Sequence, residues 1–110
     1  SFRNLVGYVE VPVTGTGTLS SLTLKSEIFN GFNPLSKAAT LDVTANGKTI
    51  TNIEFVFDYS QWYLGADSGT LSAEGDTRTW TGSATAVKFT STGTDSSHRA
   101  YIKAMTITYK

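Results

Sequence analysis

Apolar residues recur at every second position along most of the chain, and no stretch of about 11 residues or more carries the three-to-four spacing of an amphipathic helix. Val9, Val11 and Val13 share one side of Leu5–Val13, with Glu10 and Pro12 on the other. Leu22 and Leu24 alternate with Thr23 and Lys25 within Leu19–Ser26, and Ala39, Leu41 and Val43 alternate with Thr40, Asp42 and Thr44. Strands with one apolar face bury it only by stacking sheet on sheet. The expectation is an all-β, antiparallel two-sheet β-sandwich of jelly-roll or immunoglobulin-like form, with about eight short strands. At 110 residues the chain holds one core, so residues 1–110 are read as a single domain.

Turn chemistry orders these strands. Pro12 cannot donate to a ladder, which puts the first strand at an edge or ends it there. Thr14–Gly17 reads as a turn, and Glu27–Lys37, with Gly31, Pro34, Phe29 and Phe32, as a long loop. Asn46-Gly47 suits a type I′ turn, which predicts a hairpin pairing Ala39–Thr44 with Ile50–Phe57. A second long loop is expected over Asp58–Gly69, then strands at Thr70–Ala73, Thr77–Thr81, Ala84–Ser91 and His98–Lys110. Three of the strands share an unusual spacing: Leu19-x-x-Leu22-x-Leu24, Ile50-x-x-Ile53-x-Phe55 and Ile102-x-x-Met105-x-Ile107. A step of three throws a side chain to the wrong face unless one extra residue bulges out, so each of these strands should be bulged.

Composition excludes several classes. Nine basic and nine acidic residues cancel, which removes the electrostatic drive behind nucleic-acid and anionic-membrane binding. No cysteine is present for a disulfide, a thiolate metal site or a nucleophile. No apolar run approaches the ~18 residues of a spanning helix. Ser and Thr make up about a quarter of the chain, above ordinary usage. The chain opens at Ser1 with no Met and no signal-peptide core, as expected of a processed part of a larger exported protein.

Catalytic readings are weak. His98, the single histidine, sits beside Arg99 where a polar loop gives way to a strand, the setting of a solvated edge residue. Ala66-Asp67-Ser68-Gly69 superficially matches the surroundings of a serine nucleophile but has no histidine–carboxylate partner, so it reads as a turn. No catalytic residue and no metal ligand is assigned. No cofactor is expected, and structural calcium on the loop carboxylates Asp58, Asp67, Asp76 and Asp95 is the one ion left open, without any EF-hand spacing. The run Asp58-Tyr59-Ser60-Gln61-Trp62-Tyr63-Leu64-Gly65 is the distinctive one. Aromatic faces provide platforms for sugar C–H patches, and planar amides and carboxylates bind hydroxyl pairs. Trp62, Tyr63, Gln61, Tyr59, Asp58 and Asp67 are therefore the candidate ligand-binding residues. Adjacent residues of an extended segment point opposite ways, so Trp62 and Tyr63 face one side together only if the chain turns there. Trp80, alternating with Arg78, fits a core role.

Two resemblances extend this reading. Lys48-Thr-Ile-Thr-Asn-Ile-Glu-Phe, Asp67-Ser-Gly-Thr, Trp80-Thr-Gly-Ser-Ala-Thr-Ala-Val-Lys-Phe-Thr and Tyr101-Ile-Lys-Ala-Met-Thr-Ile-Thr-Tyr resemble β-sandwich modules at the ends of large secreted or surface proteins of Bacteroidetes. Such modules accompany polysaccharide-degrading enzymes. Phe2-Arg-Asn-Leu-Val-Gly and Gly17-Thr-Leu-Ser-Ser-Leu-Thr-Leu are similar to the opening of fimbrillin-like domains. The first resemblance implies a non-catalytic carbohydrate-binding module, secreted or at the cell surface, covalently linked to its parent protein, with a polysaccharide or oligosaccharide as partner and neither nucleic acid nor membrane insertion. The second implies a structural or adhesive surface domain, a fimbrillin-like subunit or spacer.

Overall fold

The computed structural model describes residues 6–10, 20–32 and 39–110. Val11, Pro12, Val13, the Thr14–Gly17 turn, Leu19 and the Pro34 part of the first expected loop lie outside the described residues. Nine strands and no helix are found among those described: β1 (Val6–Glu10), β2 (Ser20–Gly31), β3 (Thr40–Thr44), β4 (Ile50–Trp62), β5 (Leu64–Ala66), β6 (Thr70–Leu71), β7 (Thr77–Ala84), β8 (Ala86–Ser91) and β9 (Ala100–Tyr109). They form a two-sheet β-sandwich, one sheet in the order β1-β3-β8-β5 and the other β2-β9-β4-β7-β6. Every pairing is antiparallel except that of β1, which lies parallel to β3 at a sheet edge. The edge position matches the expectation for the first strand; the parallel direction departs from it.

Among the described residues, consecutive strands alternate between the sheets at every connection but one, that between β6 and β7, which form a hairpin. This overturns the expected pairing of Ala39–Thr44 with Ile50–Phe57. The Asn-Gly turn itself is present: Asn46 and Gly47 have φ of 50° and 83°, and the Lys48 N–H donates to the Ala45 carbonyl at 2.9 Å. Beyond it the strands part. β3 lies between β1 and β8, whereas Thr49 exchanges two hydrogen bonds with Lys110 at 2.9 and 3.0 Å and leads β4 into place beside β9. Ala45 and Ile50 are both fully buried, so the turn rounds the end of the core. Turn chemistry dictates the reversal of the chain but leaves open which strands pair, and burial of two apolar faces decides that.

The core is built where the sheets face each other. Phe89 of β8 meets Phe55 edge-on at 4.9 Å and Trp80 at 6.5 Å, joining the two layers. Leu41, Val43, Ile53, Ile102, Met105 and Ile107 fill the remainder, all fully buried. The spacing rule holds in β4 and β9: the register slips between Ile50 and Asn52 and again around Lys103, and Ile50, Ile53, Ile102 and Met105 all point inward. In β2, Leu22 and Leu24 pack against the core.

Both expected long loops are partly strand. Glu27–Gly31 continues β2 past a register slip, with Phe29 and Phe32 buried. Asp58–Trp62 continues β4, and Leu64–Ala66 is already in the other sheet, leaving Tyr63 as the single linking residue. Arg78 holds this crossing. Its side chain is 8% exposed and projects inward from β7. Nη1 donates to the carbonyls of Trp62 and Leu64 at 2.9 and 2.8 Å, and Nε and Nη2 both reach the Ser72 carbonyl, at 3.1 and 3.0 Å. Burial pushes the guanidinium below the ordinary arginine value, and Glu74 opposes the shift.

Trp80 lies fully buried in a glycine-lined slot, its indole N–H donating to the Ser68 carbonyl at 2.7 Å. A Cβ on Gly69 would lie 2.5 Å from Trp80 Nε1 and 2.7 Å from the Thr81 carbonyl, at a φ of +70°. Gly47 shares the positive φ but has nothing within 4 Å. Gly69→Ala is accordingly expected to destabilise by about 2–4 kcal/mol, from left-handed strain plus overpacking. Gly47→Ala bears the strain alone, about 1 kcal/mol. Urea unfolding of the two variants checks this, and equal midpoints would contradict it.

Candidate functional site

Five of the six candidate residues separate into two places, and Asp67 lies apart from both. Tyr59 lies on the outer face of the five-stranded sheet and is 71% exposed. Tyr59 and Ser60 both have left-handed backbones, φ of 55° and 54°. Two successive non-glycine residues in that region cost about 1–2 kcal/mol each. The Asp58 carboxylate offsets part of this by accepting the Tyr59 N–H at 3.0 Å. The result is a bulge between Phe57 and Trp62 that swings the Tyr59 ring over β9, edge-on to Tyr101 at 5.2 Å and 64°.

Tyr101 is held in turn. Its hydroxyl donates to Glu27 Oε1 of β2 at 2.9 Å, and the Lys103 ammonium sits 5.6 Å from its ring centroid. Lys103 occupies a coincidence of register: on both sides of β9 the pairing steps from Ala104 to Ile102, so Lys103 has no cross-strand partner. Tyr59, Tyr101, Glu27, Lys103 and Asp58 thus form one surface cluster drawn from β4, β9 and β2, with Tyr59 and Glu27 exposed and the other three half-buried. Tyr101, Lys103 and Glu27 escaped the sequence reading. The Arg99-Tyr101-Lys103 alternation on the polar phase of the last strand was the signal available for the first two.

Trp62 and Tyr63 lie at the end of the sandwich. The chain does turn at Tyr63, and the two rings lie side by side at 6.0 Å and 27°. Trp62 packs against the core, and Tyr63 meets the His98 ring edge-on at 5.0 Å. Gln61 is spent locally, its Oε1 accepting the Arg99 N–H at 2.5 Å. The Arg99 guanidinium lies 5.5 Å from the Phe32 ring and donates to Asn30 Oδ1 at 3.4 Å. Asp67 belongs to neither group: it exchanges hydrogen bonds with the Lys88 backbone at 3.0 and 3.1 Å and fastens β5 to β8.

His98 is exposed and paired with Asp95 at 2.7 Å. That bond and the Ser97 N–H hold the Asp95 carboxyl below its usual range. Among the described residues no group of three or more His, Asp or Glu side chains comes together as a metal site. Ala66–Gly69 forms the turn into β6, with the Ser68 carbonyl engaged by Trp80. No protein-family model, curated protein or solved structure matches the chain.

The Glu27 hydrogen bond, then partial burial and the charges of Glu27, Tyr59 and Asp58, raise the Tyr101 pKa above the ordinary tyrosine value. With the folded value raised, the stabilisation from this bond is complete below the ordinary tyrosine pKa and is lost as pH rises through the higher one. Ultraviolet titration of the wild type minus that of Tyr101→Phe should show Tyr101 ionising above the ordinary tyrosine value. Glu27→Gln should bring it down, and an unchanged titration would contradict the contact.

Proposed function

We propose that this domain is a non-catalytic carbohydrate-binding module, secreted or displayed at the cell surface, that holds a covalently attached polysaccharide-degrading enzyme or surface protein against its glycan. The observation that carries the reading is the Tyr59 ring, 71% exposed and presented on a strained backbone beside tyrosine, lysine and carboxylate groups. Solvent-facing aromatic surface with hydrogen-bonding groups of both senses around it suits a sugar, which offers apolar C–H patches rimmed by hydroxyls. Strain at an exposed residue that contributes nothing to the core is what a binding role would maintain. Affinity per site is modest on this reading, because each sugar hydroxyl must exchange water for protein.

A structural or adhesive role, the alternative, draws support from β1. It is short, lies at a sheet edge and runs parallel to β3, in a position that a strand exchanged between subunits would occupy. Affinity electrophoresis through soluble plant and host polysaccharides separates the two. Retardation of the wild-type protein on at least one glycan is expected. Free migration through all of them, together with concentration-dependent polymerisation, would favour the structural role.

A further inference from the structure

We infer that the ligand is the interior of an uncharged polysaccharide chain, laid across the outer face of the five-stranded sheet on Tyr59, with Glu27, Asp58 and Lys103 binding its hydroxyls. The inference rests on the carbohydrate-binding reading and adds the site and the class of glycan to it.

The two aromatic groups differ in what they leave free. At the end of the sandwich the rings of Trp62 and Tyr63 lie against each other, Trp62 also against the core and Tyr63 also against His98. On the outer face Tyr59 touches Tyr101 only through an edge-on contact and keeps most of its surface in solvent. An open ring of this kind takes the flat side of a sugar. A site on a sheet face also has no need of a chain terminus, because the polymer can continue past it in both directions.

Dimensions and charge narrow the ligand. Glu27, Tyr101 and Tyr59 lie on three adjacent strands, β2, β9 and β4. Strand spacing makes that a span of about 10 Å, roughly a disaccharide. Along it stand the carboxylates of Glu27 and Asp58 and the ammonium of Lys103, acceptors and a donor in mixed order. Polyuronates or sulfated chains would bring their charges onto two carboxylates, whereas neutral hydroxyls can use both signs. The Tyr101–Glu27 bond, with its raised tyrosine pKa, keeps the Tyr101 hydroxyl proton directed at Glu27 and fixes the acceptor end of the row.

The backbone provides a test that separates binding from folding. Asparagine tolerates the left-handed region far better than tyrosine. Tyr59→Asn should therefore unfold at the same urea concentration as wild type or a higher one, while its affinity falls at least tenfold. The probes are xyloglucan, glucomannan, arabinoxylan and mixed-linkage β-glucan as neutral chains, polygalacturonate as the charged one, and oligosaccharides of the retarding glycan before and after borohydride reduction of their ends. Retardation by a neutral chain that Tyr59→Asn abolishes, that Trp62→Phe retains and that end reduction leaves unchanged is the expected result. A wild-type protein bound by glycan but indifferent to Tyr59→Asn would overturn the site and leave the carbohydrate-binding reading standing. Preference for polygalacturonate, or loss of binding on end reduction, would overturn the proposed ligand. No retardation of wild type on any chain would remove both.

Discussion

A guanidinium hydrogen-bonded to backbone carbonyls, with Glu74 acting on it through its charge, ties together the segments at which this sandwich closes. Arg78 satisfies its charge with three backbone carbonyls, of Trp62, Leu64 and Ser72. Hydrogen bonds to a charged group contribute about 1.5–3 kcal/mol each and work against the cost of removing the cation from water, which still lowers its pKa. Trp62 and Leu64 bracket the residue at which the chain passes from one sheet to the other, and Ser72 follows the last residue of β6. The two short edge strands β5 and β6, one in each sheet, are thereby drawn toward a single point. Arg78 thus fixes the carbonyls of the two residues that flank Tyr63, whose ring stacks on Trp62.

The β2 side of the five-stranded sheet is organised by irregularity. β9 runs between β2 and β4; against β4 it carries Lys103 as an extra residue, while against β2 the extra residues lie in β2, between Lys25 and Phe29. A regular ladder there would give Lys103 ordinary cross-strand partners. Bulges also twist a strand away from edge-to-edge pairing. In β2, the long edge strand, the slip between Lys25 and Phe29 thus does two things: it spoils the edge as a template for another chain and swings Glu27 toward β9. Tyr59, delivered by the left-handed pair in β4, completes the cluster from the other side.

Much of this could be read from the sequence, for physical reasons that also explain the failures. Alternation at Ala39–Thr44 and the three-then-two spacing at Ile102–Met105–Ile107 are properties of one strand facing one core, so they survive without knowledge of neighbours. The partner of a strand is not such a property. Asn46-Gly47 forms the turn its residues demand, yet the strands it joins belong to different sheets because Thr49 finds Lys110 from the far end of the chain. Asp58–Gly69 reads as a loop because Tyr59 and Ser60 break the period-two pattern with a bulge that leaves the strand intact on either side. Trp62, Tyr63 and Tyr59 stood out as aromatics in an unexpected run. Glu27 did not, since its meeting with Tyr101 depends on register across 74 residues of sequence.

The planar, forked donor set of Arg78 clasps three chain segments at once. Lysine at this position keeps the charge and most of the length but loses the fork. Equilibrium urea unfolding of Arg78→Lys beside the wild type tests the claim most directly. A loss of about 2–4 kcal/mol is predicted, from carbonyls left without donors in a buried site. Superimposable unfolding curves would mean that the crossing at Tyr63 is held by something other than this cation.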